Sequence, residues 1–363
     1  MRPPSLPFFL ACGLSLALPS PAQSASPEPT PRTTHPLEWT KLPQLPDAEG
    51  FAGTFAGVSG DALLVAGGAN IIGDRWSNPL QKKWYDRVFV LEKTTGAWHE
   101  GGKLPRPLGY GTSITLQDAL ICIGGSDSSR HFADVFRLRW KHGRILKDEL
   151  PSLPRTCANA CGASIGQTIY VAGGLENPNS NSTLRTFWAL DLNEAAPSWH
   201  QLEPWPGPAR MFAVAAGHGG SFYLLSGCDL ATAKDGSVVR NFLSDAYCFT
   251  PGKGWRRLAD LPRPAVAAPS PAPVLGESEF LILSGDDGTQ VDFSPIQDHP
   301  GFPRDVLAYN TSTNLWRTAG SLPFSRATTP TVVWNNRTVI PNGEVRPRVR
   351  TPEVWVMEPK KIK

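Results

Sequence analysis

One short stretch near the end of the chain concentrates residues that can perform acid–base chemistry. The segment PNGEVRPRVRT, residues 341–351, places Glu344 ahead of Arg346, Arg348 and Arg350, and follows the strand-like run TVVWNNRTVI. A carboxylate can give or take a proton, and guanidinium groups bind carboxylates through paired N–H donors. Two interpretations follow: a general acid/base beside a clamp for an anionic substrate, or a charged loop that faces solvent.

The elements that must position this segment recur along the chain. A short apolar run that ends in a small residue and a glycine occurs six times, at intervals of 49 to 58 residues, ending at Gly68, Gly125, Gly174, Gly227, Gly285 and Gly343. A Trp stands six residues before a Leu-Pro or Trp-Pro pair in five units, at Trp39, Trp98, Trp199, Trp255 and Trp316. Repeats of about 50 residues with glycine-ended strands are typical of kelch-type β-propellers.

We therefore predict an all-β fold, a six-bladed kelch-type β-propeller over residues 36–363. The last unit ends at its third strand, PEVWVMEP, whereas the first begins with an extra segment, LEWTKLPQLP. The N-terminal strand around Trp39 should therefore complete the sixth blade and remove a free sheet edge. Trp140 is out of register with the other tryptophans and is interpreted as ordinary packing.

The order of strands within a blade predicts which loops meet. In an antiparallel meander, the segments after the Leu-Pro pairs and those after the glycine-ended strands lie on one rim. The candidate substrate-binding residues on this rim are Asn70, Arg75, Arg106, Arg210 and Arg326. A rim with many guanidinium groups favours a carboxylate ligand. The alternative is that each arginine after a Leu-Pro pair bridges to a neighbour and only shapes the rim.

Composition and the N-terminal segment bear on partners and location. The net charge is only +3, with Lys and Arg scattered, which argues against a nucleic-acid partner. Residues 1–25 read as a signal peptide and residues 26–35 as a disordered linker, so we expect an exported protein, periplasmic or secreted. Cys12 leaves a lipoprotein as the alternative. We find no later apolar run long enough to span a membrane.

Five cysteines follow Cys12, an odd count that leaves at least one thiol free or paired between chains. Cys228 and Cys248 are candidates for a disulfide between neighbouring strands. Cys157 and Cys161 lack a second Cys or His pair at metal-site spacing, so we expect no zinc site. No cofactor is predicted, and the oligomeric state stays open.

Two segments resemble one family in particular. GFAGTFAGVSGDALLVAGGAN and NGEVRPRVRT together resemble the bacterial N-acetylneuraminate epimerases, or sialic acid mutarotases, which are exported six-bladed kelch propellers. The order of the blades is similar to that of the cyclically permuted mutarotases. In this family an NGE segment carries an acid, with an arginine six residues later. The loops after Gly68, Gly227 and Gly285 differ from the family pattern.

The resemblance implies a function and two catalytic residues. The expected reaction is interconversion of the α and β anomers of N-acetylneuraminate, a small acidic sugar, by opening and closing its ring. Glu344 matches the family acid and is the expected general acid/base. Arg350 matches the family arginine and is expected to bind the substrate carboxylate or to stabilise developing negative charge.

Three other functions are compatible with a propeller. The main alternative is a non-catalytic exported module that binds glycans or a protein partner, since fold does not determine function. A copper radical oxidase needs two Tyr and two His ligands, and the seven His residues show no convergent pair. Glycoside hydrolysis needs two opposed carboxylates. Asp286 and Asp287 are adjacent in a loop, where neighbouring side chains usually diverge.

Overall fold

The computed structural model describes residues 37–360, which form six four-stranded antiparallel sheets and three two-stranded hairpins. The predicted signal peptide and linker lie outside the described residues. The first strand of the described chain is β1 (Leu37–Leu42). Blade 1 consists of β2 (Phe55–Ser59), β3 (Ala62–Ala66), β6 (Arg87–Leu91) and β7 (His99–Lys103), and its inserted hairpin consists of β4 (Ala69–Ile71) and β5 (Lys82–Trp84).

The next three blades follow the same plan. Blade 2 consists of β8 (Thr112–Leu116), β9 (Ala119–Ile123), β10 (Val135–Lys141) and β11 (Arg144–Leu150). Blade 3 consists of β12 (Cys161–Ile165), β13 (Thr168–Ala172), β14 (Phe187–Asp191) and β15 (Trp199–Gln201). Blade 4 consists of β16 (Val214–His218), β17 (Ser221–Leu225), β20 (Ala246–Thr250) and β21 (Gly254–Arg257), with an inserted hairpin of β18 (Cys228–Thr232) and β19 (Val238–Phe242).

The last two blades complete the ring. Blade 5 consists of β22 (Val274–Leu275), β23 (Glu279–Leu283), β24 (Asp305–Asn310) and β25 (Leu315–Ser321), with a short 3-10 turn at Ile296–Asp298. Blade 6 consists of β26 (Val332–Trp334), β27 (Arg337–Pro341), β30 (Val354–Pro359) and β1. Its inserted hairpin consists of β28 (Glu344–Arg346) and β29 (Val349–Arg350).

The N-terminal strand closes the sixth blade. β1 pairs antiparallel with β30 from Leu37 opposite Pro359 to Leu42 opposite Val354. The Lys41 ammonium also bonds the carboxylate of Glu353, just before β30. The six-bladed fold and its closure by the strand around Trp39 were both predicted from the phase of the repeat, and both predictions are confirmed.

The apolar core lies between neighbouring blades, and the second strand of each blade is largely buried on both of its faces. In β3, for example, all five residues are buried. One core cluster joins blades 1 and 6, with Leu63 and Phe89 packed among Trp334, Val339 and Val356. Each blade therefore needs its neighbours on both sides to bury its apolar faces.

The repeated tryptophans do more than fill space between the blades. The indole N–H of Trp98 donates to the Pro43 carbonyl at 2.7 Å, and that of Trp316 donates to the Ala259 carbonyl at 2.9 Å. Trp199 and Trp255 make the same bond to the preceding blade. Each of these indoles therefore anchors the segment that connects the preceding blade to the blade of the tryptophan itself.

A closed ring of backbone hydrogen bonds surrounds the propeller axis at one rim. One residue from each blade donates its N–H to the carbonyl of its counterpart in the preceding blade, at 2.7 to 2.8 Å. These six residues, here called the axial ring, have φ between 54° and 65° and are Gly53, Tyr110, Asn159, Phe212, Ala267 and Thr328. Five of the six carry a side chain despite this left-handed conformation, which is uncommon for bulky residues.

The five described cysteines are all buried and free. Cys228 pairs with Phe242 in the blade 4 hairpin, whereas Cys248 lies opposite Tyr223 in the main sheet. The two thiols therefore belong to different sheets, and the disulfide considered for them is not formed. Burial raises the pKa of Cys157 and Cys161 to about 12, so both remain protonated thiols at neutral pH. Within residues 37–360, no helix is long and apolar enough to cross a membrane.

Candidate functional site

The two groups of loops predicted to share a rim do meet there. In each blade, the residue before the axial ring forms an antiparallel bridge with the residue that follows the glycine-ended strand. In blade 6 this bridge joins Ala327 and Glu344, and in blade 5 it joins Val266 and Asp286. The bridge brings the residue after each second strand close to the axis, which is where propeller pockets form.

Gly343 allows the blade 6 chain to turn from β27 into its hairpin. Its φ is +101°, and a Cβ at this position would lie 2.8 Å from Cδ of Arg326 and 2.9 Å from the Ala327 carbonyl oxygen. Only glycine therefore fits this close approach without strain. The turn places Glu344 at the first position of the hairpin, directly on the rim.

The hairpin brings Glu344 and Arg350 together. These residues, six apart in sequence, lie directly opposite each other in the register of β28 and β29. Oε1 of Glu344 is 3.2 Å from Nη1 of Arg350, and it accepts a hydrogen bond of 2.7 Å from the backbone N–H of Arg348. Arg348 itself has a φ of 70°, which tightens the turn between the two strands.

The Arg350 guanidinium is buried but has unused donors. Its side chain is only 5% exposed. Nη1 lies in the ion pair with Glu344 but makes no well-aligned hydrogen bond, and Nε has no partner among the described residues. Buried donors are normally satisfied, so such a group calls for an explanation. A bound anion would satisfy these donors next to the Glu344 carboxylate.

The other two arginines of the segment anchor the hairpin to its surroundings. Nη1 of Arg346 donates to the Gln297 carbonyl in blade 5 at 2.6 Å. Nη1 of Arg348 lies 3.3 Å from the carbonyls of Arg75 and Ser77 in the blade 1 hairpin. The Glu344 hairpin is therefore held from both sides.

Asn70 and Arg75, both predicted to bind substrate, lie in the blade 1 hairpin. Asn70 is buried, and its amide donates to the Gly50 carbonyl at 2.7 Å while its oxygen accepts from the Ile71 N–H. Arg75 pairs with Glu49 at 2.7 Å, close to the contact with Arg348. The structure thus brings Arg75 next to the Glu344 hairpin and gives Asn70 internal partners.

The rim arginines have acidic partners within the fold. Arg106 pairs with Asp134. Nη2 of Arg210 lies 2.7 Å from the Asp245 carboxylate, and this arginine is fully buried. Each arginine precedes the first strand of a blade, and its partner acid directly precedes the third strand of that same blade. This arrangement matches the alternative in which rim arginines shape the fold, and a rim ligand would not reach Arg210 in this conformation.

Arg326 differs from Arg210 although it occupies the same place in blade 6. It is fully buried, its Nη2 is 3.7 Å from Glu353, and its three side-chain nitrogens donate no hydrogen bond to any described residue. Burial lowers its pKa to about 10, and the Glu353 carboxylate partly opposes this shift. Arg326 thus lies beneath Gly343 as a poorly paired cation and does not line the rim.

Asp286, which the sequence places on the same rim, occupies in blade 5 the position that Glu344 occupies in blade 6. Burial and the neighbouring Asp287 raise the pKa of Asp286, whereas the Gly288 N–H, His299 and Arg240 act in the opposite direction. Burial lowers the pKa of His299, and Nδ1 of that ring accepts a hydrogen bond from the Gly301 N–H. The available signal was the position directly after the glycine-ended strand, which carries an acid in blades 5 and 6.

The axial channel is too narrow for a sugar at the level of the axial ring. The cavity bounded by the ring and the adjoining first strands has a volume of about 80 Å³. Sites for small molecules typically offer about 300–1,000 Å³. A sugar would therefore have to bind on the rim side of the ring. Among residues 37–360, no group of three or more His, Cys, Asp or Glu side chains is placed to hold a metal ion.

Together, the fold and the Glu344 hairpin define a class: a six-bladed kelch-type β-propeller with an acid–guanidinium pair on one rim. The solved structure of YjhT superposes with a TM-score of 0.63 and 16% identity, covering 86% of this chain and 95% of that chain. At 16% identity, this structural similarity shows that the two chains share the fold.

The comparison of sequences is more specific. A model of the N-acetylneuraminate epimerase family matches residues 27–146. The N-acetylneuraminate epimerase of Haemophilus influenzae (strain PittEE) is 30% identical over 226 residues, which cover 56% of this chain and 57% of that protein. The same enzyme of Yersinia pestis (strain Pestoides F) is 38% identical over 126 residues, covering 30% of this chain and 31% of its own length.

These matches confirm the resemblance to the N-acetylneuraminate epimerase family. The matched regions span just over half of the Haemophilus protein and about a third of the Yersinia protein. The family match ends at residue 146, well before the Glu344 hairpin. The activity and the roles of Glu344 and Arg350 therefore belong to the proposal below.

Proposed function

We propose that this chain is an isomerase that interconverts the α and β anomers of N-acetylneuraminate. The observation that carries the proposal is the buried Arg350 guanidinium, with unused donors, beside the Glu344 carboxylate. One such pair supplies both a proton-transfer group and a site for the carboxylate of an acidic sugar. The names of the related proteins support the choice of sugar.

The reaction requires proton transfer and no net change in composition. Glu344 would remove the proton from the anomeric hydroxyl while the bond between the anomeric carbon and the ring oxygen breaks. The ring oxygen takes up a proton from water and becomes a hydroxyl, which gives the open-chain keto acid. Attack of this new hydroxyl on the other face of the carbonyl closes the ring, as it releases its proton to water and Glu344 returns a proton to the carbonyl oxygen.

Arg350 would hold the carboxylate that is attached to the anomeric carbon. Fixing this carboxylate directs the anomeric hydroxyl toward Glu344. The guanidinium also stabilises the negative charge that develops on the anomeric oxygen. Positioned acid–base catalysis is typically worth about 10²–10⁴-fold in rate. That range suffices for a reaction that also proceeds slowly without a catalyst.

The test is one-dimensional proton NMR of freshly released α-N-acetylneuraminate, with and without the purified chain. The two anomers give separate ring-proton signals, so the approach to equilibrium is measured directly. We expect acceleration by the native chain, and a loss of about 10²-fold or more in Glu344→Gln and Arg350→Ala. Circular dichroism would verify that both variants are folded.

A matched control separates the site from general effects of charge. Glu149 lies exposed on the outer strand of blade 2, so Glu149→Gln should leave the rate unchanged. No acceleration by the native chain would overturn the isomerase proposal and favour a non-catalytic binding propeller. Full activity in Glu344→Gln would overturn the role of Glu344 alone.

A further inference from the structure

The small cavity on the propeller axis is lined by backbone groups that the rest of the fold leaves unused. This space, here called the axial cavity, has a volume of about 80 Å³ and extends from the axial ring to the start of the first strands. Each blade contributes to it the residue that directly follows its member of the axial ring. These six residues, here called the donor ring, are Thr54, Gly111, Ala160, Ala213, Ala268 and Thr329.

The first strand of each blade is an edge strand that faces the axis. The N–H groups of alternate residues point outward from such an edge. In blade 1, the N–H of Ala56 donates across to Oγ of Ser113 in blade 2 at 3.1 Å. In blade 4, the N–H of Ala215 donates to Oγ of Ser270, which leads into blade 5, also at 3.1 Å. The donor ring lies two residues earlier along each chain segment, so its N–H groups point from the same edge.

The carbonyl groups of the donor ring support this direction. The Ala160 carbonyl accepts a hydrogen bond of 3.1 Å from Oγ1 of Thr112 in blade 2. The Thr329 carbonyl accepts one of 3.3 Å from the N–H of Ser270. A residue of an antiparallel edge strand directs its N–H and its C=O to the same side. The N–H groups of Ala160 and Thr329 therefore also face the axis.

Five of the six N–H groups of the donor ring have no acceptor among the described residues. The exception is Ala268, whose N–H donates to the Ala265 carbonyl at 3.3 Å. Thr54, Ala213 and Thr329 are buried, so bulk solvent does not satisfy them. An unpaired buried N–H group is costly, and nearly all such groups in folded proteins find an acceptor. The acceptor for these groups must therefore lie in the axial cavity.

The axial cavity has donors in excess and no charged side chain. Its lining includes no Asp, Glu, Lys, Arg or His. Two carbonyls of the donor ring, those of Ala160 and Thr329, are already bonded. Backbone N–H groups that converge on a concavity form anion sites, because each carries partial positive charge. A buried water makes about three hydrogen bonds and donates some of them, whereas a halide ion accepts from every direction.

We propose that the axial cavity binds a small monovalent anion, which in chloride-containing solution is chloride. The five unpaired N–H groups of the donor ring donate to it. Because the blades repeat around the axis, one ion on the axis accepts from several blades at once and joins their first strands. The site contains neither Glu344 nor Arg350, so it goes beyond the isomerase proposal and does not depend on it.

Chlorine-35 NMR measures chloride binding to the full-length chain, because exchange with a protein site broadens the chloride signal. Asn159 belongs to the axial ring, lines the axial cavity and is half-buried, with a φ of 60°. Asn159→Asp keeps the shape and tolerates this φ, but it adds a negative charge beside the cavity. We expect the Kd for chloride to rise about tenfold or more in this variant.

A matched control adds the same charge elsewhere in the same blade. Asn193 is exposed in the turn between β14 and β15, so Asn193→Asp should leave the Kd for chloride unchanged. Circular dichroism would verify that both variants are folded. The proposal is overturned if Asn159→Asp binds chloride as tightly as the native chain, or if both variants lose binding equally.

A crystal of the native chain grown with bromide in place of chloride locates the ion without any variant. We expect an anomalous peak on the propeller axis, in contact with the N–H groups of the donor ring. Bromide at surface sites only, or water alone in the axial cavity, would overturn the proposal.

The rate assay separates this proposal from the isomerase proposal. Glu344→Gln leaves the axial cavity intact, so it should bind chloride like the native chain even where its mutarotation is lost. A native chain that binds chloride on the axis but does not accelerate mutarotation would retain the anion site and lose the isomerase proposal. The reverse result would retain the isomerase proposal and overturn the anion site.

Discussion

Glu344 and Asp286 occupy equivalent positions in neighbouring blades, yet their surroundings differ. Glu344 faces a guanidinium at 3.2 Å, whereas Asp286 is partly buried beside Asp287. Burial favours the protonated, uncharged form of Asp286 and so raises its pKa.

We expect the Asp286 carboxyl to titrate above the usual range for aspartate. Its pKa is higher in the folded chain than in the unfolded chain, so its contribution to stability falls as pH rises through the folded pKa. Carbon-detected NMR of the carboxyl signal measures the midpoint. Asp235 is the matched control, because hydrogen bonds from Ser237 lower its pKa. Equal midpoints for Asp286 and Asp235 would contradict the prediction.

The two buried arginines should respond differently to replacement. Arg210 donates to Asp245 at 2.7 Å and to the Ser226 carbonyl at 2.8 Å, whereas Arg326 makes no such bond. We expect Arg210→Met to cost about 3–5 kcal/mol, because it leaves a mostly buried carboxylate unpaired. Arg326→Met should cost clearly less.

Denaturant unfolding of both variants measures this difference. A lower midpoint for Arg326→Met than for Arg210→Met would show that Arg326 has partners which the geometry does not reveal. Equal slopes of the two transitions would show that the variants unfold from the same compact state.

At this scale the sequence singled out Glu344 and Arg350, whose catalytic roles stay predictions, but it did not indicate the partners of the rim arginines. The six-residue spacing of Glu344 and Arg350 was visible, and the hairpin register brings them together. The acids that pair with Arg106 and Arg210 lie 28 and 35 residues later in the chain. Only the folded blade shows that they meet.

The hairpin that carries Glu344 depends on one turn. We expect Gly343→Ala to destabilise the chain by more than the cost of a positive φ alone, because the new Cβ would contact Arg326 and the Ala327 carbonyl. Gly60 is the matched control: its φ is +57° and no atom lies within 4 Å of a new Cβ. Gly60→Ala should cost about 1–2 kcal/mol.

Unfolding midpoints and mutarotation rates of the two variants test this prediction. Gly343→Ala should also displace Glu344 and so reduce any catalytic rate, whereas Gly60→Ala should not. Equal stability and equal rates in both variants would show that the turn tolerates a side chain.

The strands were predictable because their apolar runs end in glycine at a regular interval. The inserted hairpins of blades 1, 4 and 6 were not predicted as strands, since they are short and polar and lack that pattern. The axial ring was also missed. Of its six members, only Gly53 and Asn159 are residue types that favour a positive φ.

At the scale of the whole molecule, stability depends on closing the ring. We expect a chain that begins at residue 43 to unfold at lower denaturant and to associate, because β30 would become an exposed edge strand. A chain that begins at residue 35 retains β1 and is the control. Denaturant unfolding and light scattering measure both effects, and identical behaviour of the two chains would contradict the prediction.

The global fold was the most predictable level, because the repeat, its period and its phase together specify blade number and closure. The axial ring was the least predictable feature. Its members come from six blades, and its backbone angles are ones that tyrosine and phenylalanine seldom adopt.

The closure of blade 6 also has a consequence for the timing of synthesis. A ribosome makes β1 before every other described strand, yet the partner of β1 is β30, the last of them. The earliest strand must therefore wait, unpaired, while five blades are assembled behind it. The Glu344 hairpin belongs to the same late blade. Newly made chains should thus complete this blade, and the rim site that it carries, only after the strands of the other five blades have been made.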